Sequence, residues 1–452
     1  ASTPDGDTQV RGHFNGGAKF DISNTWRGGI KASFASDDTY LRRYHFGFDT
    51  VLTSRAFAEG FRGRTYAAAN AYHFQDLRSD VDQATVPLAI PMFDYNFVGE
   101  PGRLGGRWSL DANFLTLTRD VGADTRRLSF KTGWRLPHTS RTGELYSFFG
   151  SLQTDAYWVH ETQDPDNASG TLSGITGRIF PQIGFDWRFP LVWRGRQSST
   201  VIEPIAGIIV GPNGGNPDKI PNEDSLDFEL DDTNIFAATR FTGIDKVEGG
   251  SRAYYGLRGS LYGSQSGYAT AFIGQSYRFR SDGLFAEGSG LENNFSDLVG
   301  RVKLVPQKYF QMLYRFRLNN KSLNPRRNEI IASAGPSFLR LGTSYLFIEG
   351  QEASDAFPDR EELSLTATSR ITDNWSMRAS TLRDLQTGKD RNHSFEVNYS
   401  DDCFEFSGSF ARSFTQDRDI KVTDTIFFKI KLKTLGTVGA GGAVKTPEQT
   451  GG

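Results

Sequence analysis

Six histidines, at positions 13, 45, 73, 138, 160 and 393, are the first residues to weigh for metal or general-base chemistry. None stands in an HExxH frame, where two imidazoles share a helix face around zinc, and no two are close neighbours. No GxSxG turn exposes a nucleophilic serine, and no Walker sequence offers a phosphate cradle. Serine, histidine and aspartate are plentiful enough for a lipase set into a barrel wall, yet polar residues facing a wet lumen explain them more simply. The reading is therefore no enzyme, no metal centre and no cofactor. Asn167-Ala168-Ser169 fits a glycosylation frame by chance. The single cysteine, Cys403, has no second thiol in the chain to pair with. It directly follows Ser400-Asp401-Asp402, which reads as a tight turn.

The elements that carry these residues read as strands. Apolar residues recur with period 2 from end to end. Ile426, Phe428, Ile430 and Leu432 alternate with Phe427, Lys429, Lys431 and Lys433. Phe404, Phe406 and Phe410 alternate with Glu405, Ser407 and Ser409, and Trp26, Ile30, Ala32 and Phe34 with Arg27, Lys31 and Ser33. Successive side chains of a strand point to opposite faces, so one face is apolar and the other wet. Mean hydropathy is −0.46, and the longest apolar runs, such as Ile205-Ala206-Gly207-Ile208-Ile209-Val210, are far too short for a spanning helix. A barrel needs only every second residue apolar, and 36 Phe, 16 Tyr and 49 Gly suit its girdles and tight turns. A large soluble β-sandwich or propeller is the alternative by composition. The charges, 51 basic against 53 acidic, leave no surplus for nucleic-acid phosphates.

Thr372-Asp373-Asn374 and Ser400-Asp401-Asp402 read as tight turns, whereas Arg383 to Asn392 and Ser413 to Thr423 read as longer polar loops. Short on one side and long on the other is the outer-membrane barrel pattern, with the short turns periplasmic. This predicts roughly 21 strands between Thr8 and Leu435, an odd count that points to strands missing at the N-terminal end. Residues 1–436 are expected to form a large antiparallel transmembrane β-barrel, partial at its start, and 437–452 a flexible tail. The start, Ala-Ser-Thr-Pro-Asp-Gly, is no signal peptide, so a leader was cleaved or the segment excised. Gly211 to Gly250 is too long for a plain hairpin and is expected to hold a short helical turn. It reads either as a functional loop or as a disordered extracellular one.

Three segments resemble a known family. Asp224-Ser225 through Asn234-Ile235-Phe236, continuing in Arg240-Phe241-Thr242-Gly243-Ile244-Asp245-Lys246-Val247-Glu248-Gly249-Gly250-Ser251-Arg252, is the most specific. Ile179-Phe180-Pro181-Gln182 to Val201-Ile202-Glu203-Pro204 and the run from Trp375 through Cys403 to Gly436 are the others. Together they make up roughly a third of the chain and resemble the outer-membrane lipopolysaccharide translocon, the organic-solvent-tolerance protein family. The resemblance implies an N-terminal periplasmic jellyroll and a barrel of roughly 26 strands. It implies a lipoprotein plug in the lumen, and a lateral seam between first and last strands through which lipid A leaves. Neither the jellyroll nor the first strands are recognisable, and about five missing strands would reconcile the counts. It also implies a disulfide from the periplasmic domain to the closing strands. The family often has adjacent cysteines there; Asp402 replaces one, so Cys403 would carry a single bridge.

The function implied is insertion of lipopolysaccharide into the outer leaflet of a Gram-negative outer membrane, sugars through the lumen and lipid A through the gate. The implied partners are lipopolysaccharide, the plug, the periplasmic lipopolysaccharide-bridge proteins and the barrel-assembly machinery, with no nucleic acid. The alternative is a large porin or substrate-specific channel. Asp224, Phe228, Asn234, Phe236, Arg240 and Asp245 are the expected plug-contact residues. The final strand, with Asp424, Phe428, Lys429, Ile430, Lys431, Leu432 and Lys433, is the expected gate strand, its lysines either loosening the edge by repulsion and attracting lipid phosphates or merely forming a solvated face. Alone, this segment is not expected to close into a stable barrel.

Overall fold

The computed structural model describes residues 10–43, 46–47, 49–164, 167–264, 266–281, 283–350, 358–414, 422–433 and 436–444. The strands are β1 (His13–Asp21), β2 (Trp26–Ala35), β3 (Val51–Arg62), β4 (Thr65–Asp76), β5 (Leu88–Val98), β6 (Arg107–Thr118), β7 (Asp124–Thr139) and β8 (Leu145–Asp164). Next come β9 (Asn167–Arg188), β10 (Leu191–Arg194), β11 (Ser198–Val210), β12 (Arg252–Gly263), β13 (Tyr268–Arg278), β14 (Leu298–Gln307), β15 (Phe310–Leu318) and β16 (Pro325–Ala334). The last are β17 (Arg340–Ile348), β18 (Arg360–Arg370), β19 (Trp375–Asp384), β20 (Lys389–Ser400), β21 (Phe404–Ser413), β22 (Thr423–Leu432) and β23 (Gly436–Val444). All 23 lie in one antiparallel sheet, and all but β9 and β10 pair with their neighbours in the chain. Beyond the break at Phe189-Pro190, β10 prolongs β9 along the same edge of β11, so the wall has 22 strand positions.

The expected count of roughly 21 between Thr8 and Leu435 holds, since β1 to β22 occupy 21 of these positions, and β23 beyond them makes the total even. One strand was hidden in the expected flexible tail: Gly436–Val444 pairs along β22 from Leu432↔Gly436 to Asp424↔Val444. Six of its nine residues are Gly or Ala, so no apolar alternation marks it, yet a ladder needs only backbone groups beside an open strand edge. It follows that β22 is not the last strand. Among the described residues β1 and β23 do not pair with each other.

The two rims differ as the turn chemistry predicts. Connections such as 22–25, 63–64, 371–374 and 401–403 lie on one rim, and 36–50, 77–87, 211–251 and 279–297 on the other. The expected long loop from Arg383 to Asn392 is instead a tight hairpin, because Asp384 closes it by accepting from Thr387 N at 2.8 Å. No helix forms in 211–251, only turns; the one α-helix described is Tyr40–Arg43. The loop from Ser413 to Thr423 falls largely outside the described residues.

Cross-strand register sorts the two faces. Phe395 lies opposite Phe410, and Phe410 opposite Ile426, all exposed on the outer face with Phe428, Ile430 and Leu432. One position along, Glu396 lies opposite Ser409 and Asn398 opposite Ser407 on the inner face. Exposed apolar rows outside and polar rows inside are what a wall between lipid and water requires.

Candidate functional site

The inner face of one arc, from β6 to β16, is covered by the chain itself. The 211–251 loop leaves β11, folds back over the wall and returns as β12. Its acidic side chains meet arginines that alternation places inside. Arg127 of β7 bridges Asp224 at 2.6 Å and Asp245 at 2.7 Å, with side chains of Arg127 and Asp245 only 3% and 2% exposed. Asp245 also accepts from the Tyr157 hydroxyl of β8 at 2.9 Å. Arg119, just past β6, pairs with Glu223 at 2.7 Å. Arg178 of β9 donates to the carbonyls of Ile244 and Asp245 and pairs with Asp155 of β8 at 2.6 Å.

On the other flank, Asp232 meets Arg301 of β14 at 3.0 Å and Arg315 of β15 at 3.4 Å. Glu229 takes Arg317 of β15 at 3.1 Å and Arg327 of β16. The loop thus ties β6–β9 to β14–β16. Between the flanks lies an apolar core of Leu230, Ile235 and Phe241 from this loop, Phe285 and Leu291 from 279–297, and Ile205, Phe272 and Val299 from the wall. The two loops therefore fold on each other as one internal body.

Local backbone chemistry shapes the body. Asp224 accepts from Ile244 N and Asp245 N, while Asp245 accepts from Glu223 N and Asp224 N, so each carboxylate caps the other's segment. Gly243 sits at φ +75° with Asp224 where a Cβ would be, so only glycine fits. Burial raises the Asp224 carboxyl, but Arg127 and the two backbone donors outweigh it and hold the group below the usual range. For Asp245 burial wins and pushes the group up, against the pull of Arg127. Arg240 is drawn down to about 10 by burial, against the attraction of Glu248 at 3.6 Å.

All six residues expected to touch a plug are engaged within the chain. Asp224 and Asp245 hold Arg127. Phe228 packs edge-on against Phe241 and Phe285, and Phe236 against Tyr254 and Phe272. Asn234 closes a turn with Asp231 at 3.0 Å, and Arg240 faces Glu248 and Ser276. What remains outward on this loop includes Leu226, 74% exposed. Sequence reasoning missed Arg127, Arg178, Arg301 and Arg317. Their inward parity is visible in the strand pattern, but their partners are not.

At the C-terminal end, Lys429 and Lys431 lie inside, opposite Ser407 and Glu405, and Lys433 follows at the turn. Phe428, Ile430 and Leu432 point outward. Asp424 accepts from Nε and Nη2 of Arg412, each at 2.6 Å. β22 is paired on both sides, so these residues lie one strand in from the edge. Cys403 is exposed in the 401–403 turn, its N–H donating to Asp401 at 2.8 Å and its carbonyl accepting from Lys433 N at 3.0 Å. No group of metal-ligating side chains occurs among the described residues.

A family model described as LPS transport system D matches residues 9–375. "LPS-assembly protein LptD" of Escherichia coli O1:K1 / APEC is 20% identical over 453 residues, covering 92% of this chain and 56% of its own length. The Shigella flexneri protein of the same description is 20% identical over 458 residues, with the same coverage. The chain thus spans little more than half the length of these curated relatives. Among solved structures, a ferric enterobactin receptor of Pseudomonas aeruginosa aligns with TM-score 0.42 at 8% identity, over 95% of this chain and 74% of the receptor. Copper transporter OprC aligns with TM-score 0.33 at 12% identity, over 86% and 71%.

Proposed function

Since the chain belongs to the LptD family of LPS transport system D, we propose that it is the barrel wall of a translocon that inserts lipopolysaccharide into the outer leaflet. Its location is the outer membrane of a Gram-negative bacterium. The observation that carries the reading is the split lumen. The loops cover β6–β16, whereas no described loop lies over the inner face of β18–β22, which is lined by hydroxyls and amides such as Ser380, Ser394, Asn398 and Ser409. Between the charged residues of this face, such hydroxyls and amides offer sugars many weak hydrogen bonds and no strong trap. Lipid A, whose acyl chains are apolar, leaves sideways through a seam near β22 in this reading. Depleting the protein in cells is expected to remove newly made lipopolysaccharide from the surface; unchanged surface delivery overturns the proposal. A porin would instead conduct ions steadily once purified in a planar bilayer.

The plug is the second part of the proposal. The docked loops present Leu226 and its neighbours to a lumen lipoprotein, and the wall residues beneath hold that surface in place. Deleting Asp224 to Phe236 is expected to reduce co-purification of the lipoprotein several-fold and to impair surface delivery. Intact binding and delivery in that variant would remove the loop from the partner interface.

Cys403 is the third. Its exposure on the short-turn rim, periplasmic by the barrel rule, supports a disulfide to a periplasmic domain. Non-reducing gels of the complete protein should show a mobility shift that disappears in Cys403→Ser. Identical mobility of the two would leave Cys403 a plain thiol.

A further inference from the structure

We infer that the inner face of β17–β22 at the short-turn rim is a binding surface for the phosphates of an anionic glycolipid headgroup, which rests on the transport reading above. Register carries the inference. Arg340 opens β17 opposite Thr368, Arg370 ends β18 opposite Ser376, and Arg378 lies between Thr368 and Glu396. Asn398, beside Ser376, leads across Ser407 to Lys429, and Ser400 leads across Glu405 to Lys431. Alternation therefore gathers Arg340, Arg370, Arg378, Lys429, Lys431 and Lys433 on one face, although they are scattered over nearly a hundred residues of sequence.

At this rim only Glu396 and Glu405 share that face among the described residues; Glu362 and Asp384 lie on it towards the opposite rim. Glu405 is within 3.4 Å of Lys431 and 3.8 Å of Lys433. Glu396 accepts from Ser407. Asp373, Asp401 and Asp402 lie in the turns below, and Asp401 is occupied by the Cys403 and Phe404 N–H groups and the Tyr399 hydroxyl. No ion pair holds Arg370, Arg378 or Lys429 among the described residues, and all three are exposed. On the opposite arc the inner arginines are matched by loop carboxylates. Here the charge faces the lumen.

Strands lie about 4.8 Å apart, and exposed charges act over roughly 8 Å at physiological salt, so these cations reinforce one another. Arginine forks and lysine ammoniums both bind phosphate oxygens by charge-assisted hydrogen bonds. The patch lies on the periplasmic rim, where a substrate entering from below arrives first, and it ends at β22, beside the sheet edge. An anionic headgroup would be met there while its acyl chains stay near the edge.

The test is photo-cross-linking in the full-length protein with its partners, using a benzophenone amino acid at Ser407. The probes are lipid A carrying both phosphates and the same lipid dephosphorylated. Cross-linking to the phosphorylated probe is expected, with about tenfold less in R378Q/K429Q and recovery in R378K/K429R. Heat-modifiable mobility checks that each variant is folded. Equal yields with both probes, equal yields in wild type and R378Q/K429Q, or no yield at all overturns the inference. So does abolition by millimolar inorganic phosphate, which would make free phosphate the ligand. Depletion of the protein with surface lipopolysaccharide scored separately tells failure of this surface from failure of the transport reading.

Discussion

Replacing Arg127 with methionine should release the 211–251 loop from the wall. The substitution keeps most of the side-chain volume and removes the guanidinium that serves Asp224, Asp245 and Asn113 together. Asp245, 2% exposed, would be left as a buried charge with only neutral donors. Breaking a buried pair from one side typically costs about 3–5 kcal/mol, because the remaining charge has lost its solvation and its partner. The cost falls on docking rather than on the barrel, since the ladder of β7 is backbone-made. Hydrogen exchange across 222–246 should accelerate by orders of magnitude, and trypsin should cut at Arg240 or Lys246. R258M is the control: Arg258 pairs with Glu203 at 2.9 Å but is 38% exposed, a setting worth about 0–1 kcal/mol. The triple variant R127M/D224N/D245N removes the orphaned charges and should recover part of the protection. If R127M exchanges no faster than R258M, the loop is held by its apolar core and not by the ion cluster.

Acid should act more gently than that substitution, because the two carboxylates shift in opposite directions. Asp224 is held below its usual range, so its contribution is present at neutral pH and lost as pH falls through that lowered value. Asp245 is pushed up by burial, so its protonated form favours docking and its contribution is lost as pH rises through the raised value. The terms oppose each other over the acid range, and no single sharp release with pH is expected.

The outer face of this protein was legible in its sequence because alternation is a local signal. Phe395, Phe410 and Ile426 fall in one row, as period 2 requires. The loop at 211–251 announced itself by length. Its fate did not, because Arg127 and Asp245 are 118 residues apart and nothing local couples them. Parity says that Arg127 faces inward; it cannot say that a loop carboxylate waits there. The same limit hid Arg340, Arg370 and Arg378, which join the legible lysine row of the C-terminal strand only through register. β23 escaped for the opposite reason: glycine and alanine carry no hydrophobic pattern, although their backbone pairs like any other.

That glycine-rich strand bears on the last expectation, a weak seam at the C-terminal edge of the sheet. Glycine in a strand interior costs roughly 0.5–1 kcal/mol relative to alanine and brings no side chain to pack, so four glycines in nine residues make an intrinsically poor edge. In lipid, an edge left open costs several kcal/mol for each unsatisfied backbone group, so the complete barrel has to pair it. A strand that must pair but pairs weakly is suited to a gate, since opening forfeits little side-chain packing and closing is enforced by the backbone. Next to it, β22 and the turn after it set Lys429, Lys431 and Lys433 on the inner face and Phe428, Ile430 and Leu432 on the outer, so a lipid crossing there meets charge on one side and hydrocarbon on the other. Cysteine pairs that lock this edge to the strand closing the complete barrel are therefore expected to stop surface delivery of lipopolysaccharide almost entirely. Heat-modifiable mobility and lipoprotein binding should stay normal, and reductant should restore delivery. A barrel locked in this way that still exports at the wild-type rate would place the exit elsewhere, and the charge and glycine content of β22 and β23 would then reflect only a solvated face beside a plain edge.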